Sequence, residues 1–208
     1  MKIVEPKVLG CQNNSLLLAH ENKSFCNSIF TENVREKLIL KDITFDSCIF
    51  QNIDFSDIDL IDIDLLDVIF ENCDLSNKRF DYKFLARVKF INCKLLGTSF
   101  IGTNINNVEY RNCVAKYTNF AEAKIKNMLI SKSDFREMSF LKSTIANLEL
   151  DEVNMEGAEI IKSRMKDIDF SSCNICNLKS DLYSLEGMII DSYQAIELIK
   201  FLGIKLKE

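Results

Sequence analysis

Cysteine is the residue type in this sequence that could most readily do chemistry. The chain of 208 residues has eight cysteines, and Cys173 and Cys176 have the C-x-x-C spacing of zinc and redox sites. A four-cysteine zinc site needs a second C-x-x-C, which the sequence lacks, and His20 is the only histidine. A triad built on histidine and a histidine-rich metal site therefore both lack their main component. We expect no catalytic residue, no metal and no cofactor, and we do not expect an enzyme.

Carboxylates are the second chemically distinctive group. Ten of them lie between Asp42 and Asn77 with no Lys or Arg among them, so this segment has a charge of −10. A basic cluster follows at once between Lys78 and Lys94. The charge is therefore predicted to be polarised along the molecule, with the acidic part nearer the N-terminus. The ten acidic residues are Asp42, Asp46, Asp54, Asp57, Asp59, Asp62, Asp64, Asp67, Glu71 and Asp74.

The apolar residues that must position these groups recur every five residues. All 28 positions that are multiples of five, from Leu40 to Ile175, are apolar or aromatic, and 11 of the 15 phenylalanines are among them. The residue two positions earlier is also small or apolar in most units. Two buried positions with one residue between them are typical of a short extended segment. Such segments separated by corners predict a coil, and stacked coils form a solenoid.

The cysteines fit this repeat as packing groups. Cys173 falls in the small inward position and Cys176 in an outward position, so the two side chains of the C-x-x-C should point apart. Free cysteine packs as a small apolar residue. The same small position is occupied by Cys48, Cys73, Cys93 and Cys113. Glycine occurs only six times, so we expect the turns to form without glycine's freedom at positive φ.

The segments FSDIDLIDIDLLDVIFENCDL and AKYTNFAEAKI resemble the pentapeptide-repeat family, whose consensus is A(D/N)LXX. The resemblance implies an all-β solenoid, a right-handed quadrilateral β-helix with four units in each coil of twenty residues. Phe70, Phe90 and Tyr110 would then stack on one side. With rungs ~4.8 Å apart, seven coils would make a rod roughly 34 Å long. We expect an irregular N-terminal cap over 1–39, the β-helix over 40–178, and a short C-terminal α-helix within 179–208.

The consensus accounts for some of the carboxylates but not for others. It places Asp or Asn just before the central residue, where Asp54, Asp59, Asp64 and Asp74 lie. Four others, Asp42, Asp57, Asp62 and Asp67, come two residues after the centre and are not explained in this way. Stacked like charges repel, which leaves two interpretations open: a solvated surface, or a binding face for a basic partner. A calcium site is poorly supported, because one stacked face supplies few convergent oxygens.

The C-terminus has the pattern of a helix. Asp191 and Gln194 have the spacing of a capping box, and Gly203 fits a C-terminal stop. The polar residues Gln194, Glu197 and Lys200 form one narrow stripe, so most of the helix surface is apolar. Such a helix caps the open end of the solenoid, and it could also join two copies through a twofold axis. The candidate dimer interface is Tyr193, Ile196, Ile199, Phe201 and Leu202.

The ending LEGMIIDSYQAIELIKFLGIKL also resembles the ends of Qnr-type quinolone-resistance proteins, a branch of the same family. This resemblance implies a homodimer through the C-terminal helix and binding to type II topoisomerases such as DNA gyrase by an acidic rod that mimics DNA. One departure is that many Qnr-type proteins have projecting loops, whereas the repeat here is unbroken from 40 to 175. The alternative is a structural or scaffolding module with another protein partner.

Charge and hydropathy argue against nucleic-acid-binding and membrane-spanning functions. The net charge of −5 makes direct binding of nucleic acid unexpected. The stretch IDLIDIDLLDVIF has an Asp every two or three residues, so it is not expected to span a membrane. No basic segment followed by a long apolar run is found at the N-terminus. We expect a cytoplasmic protein with reduced cysteines.

Overall fold

The structure, a computed structural model, describes residues 3–20 and 22–205. The chain winds into a parallel β-solenoid, so the predicted fold class is confirmed. Each coil takes twenty residues, because Phe50 pairs with Phe70, Phe70 with Phe90, and Phe90 with Tyr110. The five-residue repeat is what fixes this register, since four units return each large apolar side chain to the same side of the coil.

Thirteen strands form two sheets within the described residues. One sheet has the order β1-β3-β4-β5-β6-β7-β8-β10, with β2 beside β4 and β11 beside β8, and the other has the order β13-β12-β9. The strands are β1 (Gln12–Asn13), β2 (Ser24–Cys26), β3 (Ser28–Phe30), β4 (Leu38–Gln51), β5 (Ile58–Glu71), β6 (Phe84–Ile91), β7 (Asn104–Arg111), β8 (Lys124–Ser131), β9 (Ser139–Leu141), β10 (Thr144–Ile145), β11 (Leu148–Asp151), β12 (Glu159–Ile161) and β13 (Lys179–Ser180).

The helical segments are short and lie near the two ends of the chain. A 3₁₀ helix spans Leu16–His20, and α1 (Leu182–Leu185) lies within the last coil. The C-terminal helix α2 (Gln194–Leu198) continues as a second 3₁₀ turn, Ile199–Leu202, and ends at Gly203, whose φ is 72°. No helix among the described residues has the length and apolar character needed to cross a lipid bilayer.

The core is a set of side-chain columns along the rod axis. Phe30, Phe50, Phe70, Phe90 and Tyr110 form a continuous stack, with neighbouring ring centroids 4.8–5.2 Å apart. A second stack of Phe80, Phe100 and Phe120 has separations of 5.4 and 5.0 Å. The regular spacing of these rings follows the rung spacing of the parallel strands. The stacks therefore favour the twenty-residue register over any shifted one.

Positive φ angles occur at most corners of the coil, in residues whose numbers end in 2 or 7. Asn and Asp, which tolerate this conformation better than other residues with a side chain, occupy many of these positions. The turns thus use few glycines, as expected, but they do adopt positive φ. Asn side chains also connect the corners: Asn72, Asn92 and Asn112 each donate to the Asn one coil before, at 3.2 Å.

The coils extend beyond the predicted boundaries of 40 and 178. Phe25 and Phe30 already pair in register with Phe45 and Phe50, and Ile189 bridges to Asp169 at the other end. The segment before them is not a simple cap. Residues 3–11, here called the N-terminal strap, run along the side of the rod and contact four successive coils. These contacts are Val4 N to Asn107 Oδ1 at 3.1 Å, Glu5 to Lys89, Lys7 N to Asp67 Oδ1 at 2.8 Å, and Cys11 Sγ to Ser47 O at 3.3 Å.

Candidate interaction surfaces

The ten predicted carboxylates form what is called here the acidic belt. Asp42 and Asp46 lie on β4, and five members lie on β5 (Asp59, Asp62, Asp64, Asp67 and Glu71). Asp54, Asp57 and Asp74 lie on the connections beside these strands. Because one coil takes twenty residues, positions 54–74 make a complete circuit of the rod. The belt therefore surrounds two neighbouring coils and does not line a single face.

Basic residues of the next coil neutralise part of the belt. Asp62 pairs with Lys83 at 2.5 Å, Asp67 with Arg87 at 2.6 Å, and Asp74 with Lys94 at 3.6 Å. The last two pairs are twenty residues apart, so acid and base are stacked on neighbouring rungs. The acidic and basic segments that are separated in the sequence thus meet in the fold. The coil of the sequence-predicted basic cluster lies directly against the belt.

Asp67 is not part of an exposed face, which corrects its assignment as a partner-binding residue. Its side chain is only 6% exposed and accepts two hydrogen bonds of 2.6 Å from Arg87 and one of 2.8 Å from the backbone amide of Lys7. Burial by itself raises the pKa of a carboxyl, but here the hydrogen bonds from Arg87 and Lys7 outweigh it, and the pKa of Asp67 is lowered. Asp67 therefore holds the N-terminal strap against the coils.

Three carboxylates of the belt are exposed and unpaired. Asp42, Asp57 and Asp64 have no side-chain hydrogen bond and no ion pair with any residue that the structure describes. The remaining members each have a partner: Asp46 accepts from Ser47 Oγ at 2.9 Å, Asp54 from Ser56 N at 2.8 Å, Asp59 contacts Lys37 at 3.3 Å, and Glu71 accepts from Gln51 Nε2 at 2.9 Å.

Backbone geometry accounts for three of the acidic residues that the repeat consensus leaves unexplained. Asp42, Asp62 and Asp67 are corner residues with φ of 56°, 55° and 55°, and Asp is among the side chains that best tolerate such angles. Asp57 is not among the positive-φ residues. Three of these four aspartates thus have a structural reason for their type, and only Asp57 does not. The case for a binding surface therefore depends on exposure and on the lack of partners.

The C-terminal end presents apolar side chains outward. Tyr193, Ile196 and Leu202 of the candidate dimer interface are 82%, 57% and 62% exposed, and Ile199 and Phe201 are half-buried. The predicted capping box is present, since Asp191 Oδ1 accepts from Gln194 N at 2.8 Å and Gln194 Oε1 accepts from Asp191 N at 2.9 Å.

Gln194 departs from the expected polar outer stripe. Its side chain is buried, and its Nε2 donates to the carbonyls of Phe170 and Cys173 at 2.8 and 2.7 Å. Phe170 O also accepts from Cys173 N at 2.8 Å, and the Gln194 amide supplies a donor to both carbonyls at the end of the rod, where a buried carbonyl without a donor would be costly. The Gln194 amide therefore attaches the helix to the end of the rod, while Tyr193, Ile196 and Leu202 remain exposed on the outside.

The cysteines lie where the repeat predicts. Cys48, Cys73, Cys93, Cys113 and Cys173 are buried, and Cys176 is exposed, so the two cysteines of the C-x-x-C do not share a site. Burial raises the pKa of Cys48 to about 12 and that of Cys113 to about 11, which keeps these thiols protonated at neutral pH. Within residues 3–20 and 22–205, no group of three or more His, Cys, Asp or Glu side chains could hold a metal ion.

Sequence reasoning missed the N-terminal strap. All of its contacts join residues that are 36 to 103 positions apart, and the repeat pattern does not reach residues 3–11. Two of its four anchors, Asp67 and Lys89, are charged. Lys89, which is buried, contacts both Glu5 of the strap and Glu109. Burial alone raises the pKa of Glu109, but hydrogen bonds from Lys89 and Arg111 outweigh it and lower that pKa.

Two family models match the chain. The model described as pentapeptide repeat region matches residues 63–134, and the model described as pentapeptide repeats (8 copies) matches residues 39–77. No curated protein matches the chain.

Several solved structures are similar to it at low identity. Trypsin-treated QnrB1, a plasmid-mediated fluoroquinolone resistance protein, is 22% identical, with 89% of this chain and 92% of that chain covered and a TM-score of 0.38. Full-length QnrB1 is 21% identical, with 87% and 90% covered and a TM-score of 0.39. HetL, a pentapeptide repeat protein of the cyanobacterium Nostoc sp. that is involved in regulating heterocyst differentiation, is 13% identical, with 88% and 93% covered and a TM-score of 0.34.

Proposed function

Because this chain is a pentapeptide-repeat protein, we propose that it acts as a non-enzymatic rod that binds a basic protein surface through its acidic belt. The observation that carries the proposal is the set of exposed carboxylates Asp42, Asp57 and Asp64, which have no partner within residues 3–20 and 22–205. Their backbone is part of a rigid stack of coils, so binding costs little conformational entropy. Carboxylates arranged in this way favour fast and selective association with a basic partner.

A type II topoisomerase is the partner that we propose, with quinolone protection as the consequence. The support is the resemblance of residues 185–206 to the ends of Qnr-type proteins. The belt limits what kind of DNA mimicry is involved. It covers two coils, about 10 Å of rod, whereas duplex DNA carries a charge about every 1.7 Å along its whole length. We therefore propose that the rod replaces a short stretch of duplex at one basic contact.

We also propose that two copies join at the C-terminal end. The exposed Ile196 of the capping helix, with Tyr193 just before it and Leu202 in the 3₁₀ turn after it, presents apolar surface outward. A twofold axis there would cover the same side chains in both copies. The two acidic belts would then lie toward the far ends of a longer rod.

A scaffolding role without topoisomerase activity is the second candidate. The observation that favours it is the internal pairing of the belt, in which Asp62, Asp67 and Asp74 already have basic partners in the next coil. Carboxylates paired in this way serve the stability and solubility of the rod. Under this alternative, the three free aspartates only solvate the surface.

The acidic-belt proposal is tested with the triple variant Asp42→Asn, Asp57→Asn and Asp64→Asn. Purified protein is added to a gyrase supercoiling assay with and without a fluoroquinolone. We expect the parent to inhibit supercoiling or protect against the drug at micromolar concentration. The triple variant should need about tenfold more protein, because three exposed charge pairs together contribute on the order of 1–2 kcal/mol.

The matched control removes three exposed charges elsewhere, in Asp151→Asn, Glu152→Gln and Asp167→Asn, and should behave as the parent does. An inactive parent would exclude topoisomerase as the target. An active parent whose activity falls equally in both triple variants would show that the contact depends on net charge and not on the belt.

A further inference from the structure

One corner of the rod carries opposite charges at its two ends. This surface, here called the charged edge, consists of four residues from each of seven successive coils. The coils are stacked in register, since Thr44 pairs with Asp64, Phe84 with Asn104, Asn104 with Lys124, and Lys124 with Thr144. The ranges of the charged edge are 41–44, 61–64, 81–84, 101–104, 121–124, 141–144 and 161–164.

Carboxylates dominate the N-terminal end of the charged edge and cations dominate its C-terminal end. Asp42, Asp62 and Asp64 are exposed at the first end, and of these Asp62 pairs with Lys83. At the other end the exposed cations are Lys124, Lys142, Lys162 and Arg164. The three lysines have no ion pair and no side-chain hydrogen bond with any described residue, whereas Arg164 contacts Glu186 at 2.9 Å.

The central coil of the charged edge, 101–104, has no charged residue. The coil before it is partly aromatic, and its Lys83 pairs with Asp62 of the preceding coil. Tyr82 is 72% exposed and Phe84 is 47% exposed. The Tyr82 ring lies over Gly102, where an added Cβ would come within 2.5 Å of the ring atoms. The next rung contributes Asn104, which is also exposed. The edge therefore has the order acidic, neutral, basic along the rod axis.

We propose that the charged edge binds a second copy of this chain in antiparallel orientation. A twofold axis through the coil of Gly102 reverses the order of charges, so that opposite signs face each other along the contact. The coil of Asp42 then faces the partner coil of Lys162, and the coil of Asp64 faces that of Lys142. Parallel packing would instead place like charges opposite each other.

The exceptions to the charge order fit this pairing only in part. Glu122 lies in the basic half, and in the antiparallel arrangement its coil faces the coil of Lys83, a cation that also pairs with Asp62 of its own chain. Lys41 lies in the acidic half and faces the coil of Lys162, which is unfavourable. The neutral centre places the exposed Tyr82 rings of the two copies near each other across the axis. The balance of contacts remains attractive.

The expected association is weak and sensitive to salt. Seven rungs give an edge ~29 Å long and ~13 Å wide, or about 750 Å² buried in total. Stable complexes bury roughly 1,200–2,000 Å², so this contact belongs to the transient class. Exposed charge pairs are screened within about 8–10 Å at moderate salt. Self-association of this edge also withdraws Asp42 and Asp64 from any other basic partner, but the inference does not depend on the proposed function.

The test is sedimentation velocity in about 25 mM and about 500 mM NaCl. It is carried out on the full chain with Ile196→Asp, so that the exposed C-terminal surface does not contribute. We expect the association constant to fall about tenfold or more at the higher salt. Lys142→Glu with Lys162→Glu should abolish association at low salt, because both ends of the edge are then acidic. A salt-independent association, or none at any concentration up to about 1 mM, would overturn the proposal.

Charge-swap variants distinguish the proposed geometry from nonspecific attraction. Asp42→Lys with Asp64→Lys makes both ends basic and should also give a monomer. A mixture of the acidic and basic double variants should form heterodimers, and the chain with all four substitutions should self-associate again. The control Lys23→Glu with Lys132→Glu changes the same charge away from the edge and should leave association as in the parent. Failure of the mixture to associate would reject the antiparallel pairing.

Discussion

At the scale of single residues, the residue type at each position of the repeat follows from one physical requirement. In the segment FENCDL, Phe70 fills the aromatic stack, Asn72 forms a corner at φ 54°, and Cys73 packs inside. Asp74 is paired with Lys94 of the next coil. Residues that look like candidates for cysteine or carboxylate chemistry are thus mostly structural. Only side chains that the neighbouring coils leave unpaired remain for function.

Tyr110 is the one member of its aromatic stack with a hydroxyl group, and it gives a prediction at this scale. Its hydroxyl is buried and has no hydrogen-bond partner among the described residues. Tyr110→Phe keeps the ring between its neighbours and removes the unpaired group, so the free energy of unfolding should rise by about 1 kcal/mol. Urea denaturation followed by circular dichroism measures the change.

The matched control for Tyr110 is Phe90→Tyr in the same stack. This substitution adds a buried hydroxyl one coil away, and the free energy of unfolding should fall by about 1–3 kcal/mol. A lower stability for Tyr110→Phe than for the parent would show that the hydroxyl does find a partner.

At the scale of elements, strands and corners stabilise the rod through different contacts. The strands stack through parallel ladders, and the corners are linked by Asn side chains such as the series Asn52, Asn72, Asn92 and Asn112. The N-terminal strap adds a third element that crosses the coils. Because its anchors include the buried Asp67 and Lys89, it ties together coils that are otherwise joined only to their neighbours.

The corner at Asn92 gives a prediction at the element scale. Its φ is 54°, and its side chain donates to Asn72 and accepts from Asn112. Asn92→Val should lower the free energy of unfolding by about 2 kcal/mol, because a β-branched residue is strained at positive φ and breaks the ladder. Asn92→Gly relieves the strain and should cost less than about 1 kcal/mol.

Both Asn92 variants are compared with the parent by urea denaturation. Equal losses for Val and Gly would mean that the hydrogen-bonded ladder, and not the backbone conformation, determines the residue type at this corner.

At the scale of the whole molecule, the rod has two different ends and an uneven distribution of charge. The acidic belt surrounds two coils nearer the N-terminal end, and the apolar surface of the C-terminal end lies several coils away. A contact at one end therefore leaves the other free. In the proposed dimer through the C-terminal end, this separation would leave both belts accessible to partners.

The proposed C-terminal dimer gives the prediction at this scale. Ile196 is 57% exposed, so Ile196→Asp should leave the fold intact and convert dimers to monomers in light scattering at high salt. Val114→Asp changes an exposed apolar residue on the side of the rod, and the dimer should persist. A monomeric parent at high salt would disprove this interface before any substitution is made.

The fold could be predicted from the sequence because the repeat is local: each five-residue unit specifies its own inward and outward side chains. The twenty-residue register, the aromatic stacks and the buried cysteines follow from that pattern. The capping box of Asp191 and Gln194 could also be predicted, since its two residues are close in the chain.

Contacts between coils determine which of the predicted site residues remain available to a partner. Asp67 is paired with Arg87 and the strap, and Gln194 turns inward to the end of the rod. Asp42, Asp57 and Asp64 have no partner among the residues that the structure describes. These outcomes depend on residues that are about twenty or more positions apart. The repeat specifies which side of the coil a residue occupies, but only the stacked coils and the strap specify what lies next to it.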